Sequence, residues 1–257
     1  MRRAAALLLV LIGIAAAPRF LAAAAANDSD LTISAAVSLK DALDAVTPLF
    51  AKVQPSISLH YNLGASGTLQ EQIEQGAPVD VYISASPDQM NTLDKQGLLL
   101  PGTRRDLLRN SIVLIAPSSS TGVSDFKDLL KPQVKIVAIG EPQTVPAGKY
   151  AQEVLTHFGL YDSLKPKFVF AKDVRQVLTY VASGNADAGI VYATDAETTN
   201  QVKVVATAPD DSHAAVLYPV AILKDAKNVA AAKEFENFLQ SPAAQAVFER
   251  YGFSPAR

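Results

Sequence analysis

"LLRNSIVLIAPSSSTGVSDFKDLL", Leu107–Leu130, decides the fold. At its centre Ser111–Ala116 is a short apolar, β-branched run, which reads as a strand, and Pro117 and a small polar turn follow it. It starts a second series of strand and helix patterns after an earlier one has finished at Arg109. A counterpart, "AAVLYPVAILKDAKN" at Ala214–Asn228, reads as a strand that leaves this second series. A chain that crosses to a second lobe and returns places a cleft between the two. The expected division is residues 27–109 with 218–257 in lobe I and 110–217 in lobe II.

Working outward, the same alternation runs along the whole chain. Further strand candidates are "LTISAA" from Leu31, "ISLHYN" from Ile57, "DVYISA" from Asp80, "KIVAIG" from Lys135, "KFVFAK" from Lys167, "AGIVYA" from Ala188 and "VKVVATA" from Val202. Helical patterns fall between them, at Leu39–Val53, Thr68–Gly76, Pro87–Gly97, Gly148–Gly159 and Val174–Gly184, several ending at glycine. Two amphipathic helices close the chain over Asn228–Phe253. Such alternation predicts an α/β fold with mainly parallel sheets flanked by helices.

The first 26 residues stand apart: Arg2 and Arg3, an apolar centre, then small residues up to Ala26. This is the pattern of a secretory signal peptide with cleavage near Ala26, and Pro18 and Arg19 interrupt it as a membrane span. The chain has no cysteine, hence no disulfide framework and no thiol to carry a lipid. A periplasmic location is expected. Without Arg2, Arg3 and Arg19, 20 basic residues face 25 acidic ones, a balance that disfavours a nucleic-acid partner.

Enzyme constellations are missing. The three histidines, His60, His157 and His213, have no paired metal spacing. The turn "GASGT" at Gly64–Thr68 lacks the second glycine of a nucleophile elbow and the lysine of a P-loop. No catalytic residue and no cofactor is expected.

Four strand-to-helix junctions carry the chemistry instead. "AAVSLKDAL" (Ala35–Leu43) sets Ser38 as a helix cap with Asp41 three residues on, a capping-box pattern. "GASGTLQEQI" sets Ser66 at a helix start. "TVPAGKYAQEV" has Pro146 in a first turn, leaving the amides of Ala147 and Gly148 free. "KDVRQVL" has Asp173 as a cap and Val174 in the first turn. Each presents unpaired N–H groups at the positive end of a helix dipole. Taken singly, any of these is an ordinary helix start. If the cleft brings them together, they form a donor-rich, acceptor-poor point suited to a fully deprotonated oxyanion. Lys40, Lys149, Lys172 and Arg175 are expected on solvated faces.

At these residues the chain resembles the periplasmic molybdate-binding proteins of bacterial molybdate ABC importers. The likeness is carried by "AAVSLKDAL", "GASGTLQEQIEQGAPVDVYISAS", "GEPQTVPAGKYAQEVL", "AKDVRQVLTYVASGNADAGIVYATDA" and "RYGF". It implies the two-lobed class II periplasmic-binding-protein fold with two crossover strands, and no enzymatic activity. It also implies molybdate or tungstate as ligand, delivery to a permease with its ATPase, and a monomer. The family's oxyanion contacts fall on Ser38, Ser66, Ala147, Val174 and, from the resemblance alone, the hydroxyl of Tyr192. A single serine at Ser66, flanked by Ala65 and Gly67, stands where the family often has a serine run, and Val37 stands where alanine is common. A receptor for another small oxyanion or an organic carboxylate is the alternative. The effector lobe of a transcriptional regulator is a third reading, opposed by the signal segment and the absence of a helix-turn-helix before the first strand.

Overall fold

The structure is a computed structural model describing residues 29–256. The signal segment expected over 1–26 and its cleavage point lie outside the described residues.

The elements begin with β1 (Ser29–Ala36), α1 (Lys40–Val53), β2 (Ile57–Gly64), α2 (Ser66–Glu74), β3 (Val81–Ile83), α3 (Pro87–Lys95) and β4 (Arg105–Arg109). A second group follows: β5 (Ile112–Pro117), β6 (Val137–Gly140), α4 (Pro146–His157), α5 (Tyr161–Leu164), β7 (Phe168–Ala171), α6 (Val174–Ala182), β8 (Ala188–Tyr192), α7 (Ala193–Ala196) and β9 (Val202–Thr207). The chain closes with β10 (Leu217–Ile222), α8 (Val229–Leu239), α9 (Pro242–Arg250) and β11 (Ser254–Pro255).

Two sheets result. One has the order β11-β4-β10-β3-β1-β2 and the other β7-β6-β8-β5-β9. The α/β, two-lobed architecture is as expected, but the sheets are mixed rather than mainly parallel. Only the triplets β3-β1-β2 and β7-β6-β8 are parallel. β10 is antiparallel to β3 and β4, β11 to β4, and β5 to β8 and β9. The reason is connectivity. A parallel neighbour needs a crossover on its own sheet, usually a helix, whereas β5 and β10 follow directly from strands of the other sheet.

Helices lie against the sheets because their apolar stripes require it. In α1 the buried residues are Ala42, Leu43, Val46 and Phe50, spaced by three and four. The Phe50 ring meets Phe235 and Phe238 of α8 edge-on, each at 5.3 Å between centroids. A large core cluster spans both sheets, and a smaller one joins Leu69, Ile73, Tyr82, Met90, Leu93 and Leu223. No helix among the described residues is long and apolar enough to cross a membrane.

Candidate functional site

Register sets the site. β1 and β2 pair in parallel up to Ala36 opposite Gly64, so Ser38 and Ser66, each two residues further, leave adjacent strands at the same level. In the other sheet Gly140 pairs with Ala171, and the starts of α4 and α6 follow from those ends. Tyr192 is the last residue of β8. All five expected site residues thus lie at or just beyond the carboxyl ends of strands in the two parallel triplets, where ligands of open α/β sheets sit.

The five line a single small cavity, together with Gly64, Ala85 and Pro146 among others. Its volume is about 10 Å³, room for about one water and far below the roughly 300–1,000 Å³ of sites for larger organic ligands. No charged side chain and no histidine lines it. Among the described residues, none accepts a hydrogen bond from the amides of Ser38, Ser66, Ala147 or Val174.

Each junction is built differently. The capping box expected at Ser38 and Asp41 does not form. Ser38 sits in a 3₁₀ turn, Val37–Leu39, that precedes α1, which turns its hydroxyl away from the helix. Its Oγ lies 3.0 Å from the Tyr218 hydroxyl, and Asp41 pairs with Arg175 at 2.7 Å. Ser66 opens α2 behind Ala65. Its Oγ accepts from the Ala85 amide at 2.9 Å and its carbonyl from the Tyr82 hydroxyl at 2.7 Å.

In α4, Pro146 occupies the first turn as expected. The Gly148 amide is not free, however, for it donates to the Val145 carbonyl at 2.9 Å, an i→i−3 bond that tightens the turn. Only Ala147 keeps an open donor there. A side chain at 148 has no room, since a Cβ would fall 2.1 Å from the Gly140 carbonyl oxygen. Asp173 caps α6 as expected, accepting from the Gln176 amide at 2.8 Å, and this leaves the Val174 amide pointing onward unpaired. The Tyr192 hydroxyl stands 3.4 Å from the Ala85 carbonyl. Burial, and after it the neighbouring Tyr218, pushes the Tyr192 phenol well above its ordinary value, so it is a neutral donor.

The nearby cations differ from one another. Lys40 pairs with Asp44 on the surface, and Lys172 is exposed. Lys149 is half-exposed and reaches across to Asp88 of α3. Arg175 corrects the expectation of a solvated face: its side chain is 22 % exposed. It lies between Asp41 and the fully buried Asp195, with Nε 2.5 Å from the Asp195 carboxylate. That contact is ionic without the alignment of a hydrogen bond. Burial raises the Asp195 pKa to about 6 against the opposing pull of Arg175. Arg175, the least exposed of these four cations, is therefore occupied by two carboxylates.

Sequence reasoning missed Ala85, whose amide and carbonyl hold Ser66 and Tyr192, and Tyr218 behind Ser38. The small-residue run Ser84–Ser86 after β3 is the one local signal for the former.

Comparison with known proteins agrees with the fold. Residues 31–254 match the family described as bacterial extracellular solute-binding protein. The molybdate-binding protein ModA of Haemophilus influenzae is 40% identical over 89% of this chain and 91% of its own. The Escherichia coli ModA is 39% identical over 90% and 91%. Among solved structures, the periplasmic molybdate-binding protein of Azotobacter vinelandii superposes with a TM-score of 0.80 at 28% identity, covering 88% of this chain and all of the other. With a match over nearly the whole described length, the chain belongs to the bacterial extracellular solute-binding protein family.

Proposed function

We propose that this solute-binding protein captures molybdate, with tungstate as a near-isosteric second ligand, through Ser38, Ser66, Ala147, Val174 and Tyr192. The observation that carries the reading is the convergence of those five residues, from both sheets, on one small cavity that has open donors and no charged wall. Such a shell suits a fully deprotonated tetrahedral dianion, since an anion that keeps a proton would leave it unpaired. Relatives about 40% identical bear the name molybdate-binding, which supports the same ligand class. Sulfate, with the same charge but a smaller radius, would stretch the donor set and bind more weakly.

In this reading residues 27–109 with 218–257 form one lobe and 110–217 the other. The β4–β5 and β9–β10 connections are the hinges. Closure over the ligand shifts the population toward the closed form. The protein is exported through its N-terminal segment, works in the periplasm as a monomer, and hands its ligand to a membrane permease with an ATPase. A receptor for an organic carboxylate is less well supported, because no charged side chain lines the cavity and Arg175 is already paired.

Titration calorimetry with molybdate, tungstate, sulfate, phosphate and amino acids tests the ligand class. Molybdate and tungstate are expected to bind far more tightly than the rest. Ser66→Ala is expected to cost about 1.5–3 kcal/mol of molybdate binding. Unchanged affinity would remove Ser66 from the site.

A further inference from the structure

We propose that Tyr218 and Asn110 act as positioning residues, orienting the Ser38 hydroxyl so that it meets the bound anion as a donor. This rests on the oxyanion reading above and adds the source of its polarity. One chain of groups fixes where each proton goes. The Ser111 amide donates to Asn110 Oδ1 at 2.9 Å, which identifies the oxygen end of that side chain. Its Nδ2 therefore faces the other way, donating to Thr194 Oγ1 at 2.9 Å and to the Tyr218 hydroxyl oxygen at 3.3 Å. Tyr218 is fully buried. With its oxygen engaged as an acceptor, its single proton goes to Ser38 Oγ, 3.0 Å away. Ser38 Oγ then accepts from behind, and its own proton is left for the cavity it lines.

Ser66 reaches the same state by a shorter route. The Ala85 amide, which can only donate, occupies the acceptor side of Ser66 Oγ at 2.9 Å. Each hydroxyl thus has one of its two lone pairs engaged on the protein side, which favours turning its own proton toward the cavity. The Ser38 chain also starts in the connection between the sheets. Asn110 lies between β4 and β5 and Tyr218 lies near the start of β10, so the segments on which the lobes would turn are those that set the proton.

A double-mutant cycle read by calorimetry with molybdate tests this. Tyr218→Phe is expected to weaken binding by about three- to tenfold in the wild-type background. The same substitution in the Ser38→Ala background is expected to change it less than about twofold, because its effect travels through the Ser38 hydroxyl. Asn110→Ala keeps the tyrosine ring in place and should follow the same pattern, which separates proton orientation from ring packing. Equal losses in both backgrounds, or no loss from Tyr218→Phe, would overturn the proposal. The Ser38→Ala variant alone reports on the parent reading: if it binds molybdate as tightly as wild type, the assignment of Ser38 to the site fails, whatever the role of Tyr218.

Discussion

At the scale of single residues, hydrogen-bond donors are distributed by what is already spent. Arg175 is the obvious cation for an anion, yet it stands between Asp41 and Asp195, and the backbone supplies the donors. The buried Asp195 also makes a pH prediction. Its folded pKa, about 6, lies above that of an ordinary aspartate, so the folded state holds the proton to higher pH than the unfolded chain does. Its contribution is therefore most favourable below the ordinary aspartate range and is lost as pH rises through about 6. Urea unfolding of wild type and Asp195→Asn between pH 4 and 7 checks it. Wild type should lose stability relative to the variant as pH rises, and parallel curves would refute the shift. Lys149 is a contrasting case. Its pairing with Asp88 is half-exposed on both sides and worth at most about 1 kcal/mol, so Lys149→Met should leave molybdate affinity within about fivefold by calorimetry. Residue-level roles were legible where a local rule decides them, as with Asp173 capping α6. They were not where the partner is distant in sequence, as with Tyr218 behind Ser38, 180 positions away.

At the scale of elements, the helix starts depend on how close each helix comes to its strand. α4 lies so near the end of β6 that the missing side chain at Gly148 is occupied by the Gly140 carbonyl. Gly148→Ala must push the helix off the strand and is expected to destabilise the fold by about 1–3 kcal/mol. The same shift would move the neighbouring Ala147 amide. Thermal unfolding and molybdate calorimetry should both register the change, and a variant with wild-type stability would contradict the contact. In the parallel triplets β3, β6 and β8 are buried along their length and were legible as unbroken apolar or small-residue runs, whereas the edge strands β2 and β7, largely unburied, were legible from their β-branched and aromatic residues. β4 was hidden by charges at both ends of "RDLLR", with only Leu107 and Leu108 buried. The single-turn helices α5 and α7, four residues each, are too short to display a period. The mixed pairing of the sheets was illegible for another reason: strand direction depends on which sheet a strand joins, which no local pattern encodes.

At the scale of the whole molecule, the two lobes meet at a contact that a single atom can test. The Gly67 amide in the first turn of α2 donates to the Thr144 carbonyl, in the loop before α4, at 2.9 Å. A Cβ at position 67 would lie 2.5 Å from that oxygen and 2.7 Å from the Thr144 Cα. Both are backbone atoms, so no side-chain rotation relieves the clash. The backbone at Gly67 is helical, a conformation alanine adopts readily, so the obstruction exists only when the lobes are together. Gly67→Ala is therefore expected to fold with near wild-type secondary structure and to resist closure. Molybdate affinity should fall at least about tenfold, or roughly 1.4 kcal/mol, since in the proposed site the contacts from Ala147, Val174 and Tyr192 would be made only on closing. Small-angle scattering distinguishes this from simple loss of a ligand contact. Wild type should contract on adding saturating molybdate, whereas the variant, at concentrations where calorimetry shows it occupied, should remain extended. If Gly67→Ala contracted as fully as wild type, the approach of α2 to the Thr144 loop would not limit closure, and the fit of the two lobes would have to be governed by the hinge strands instead.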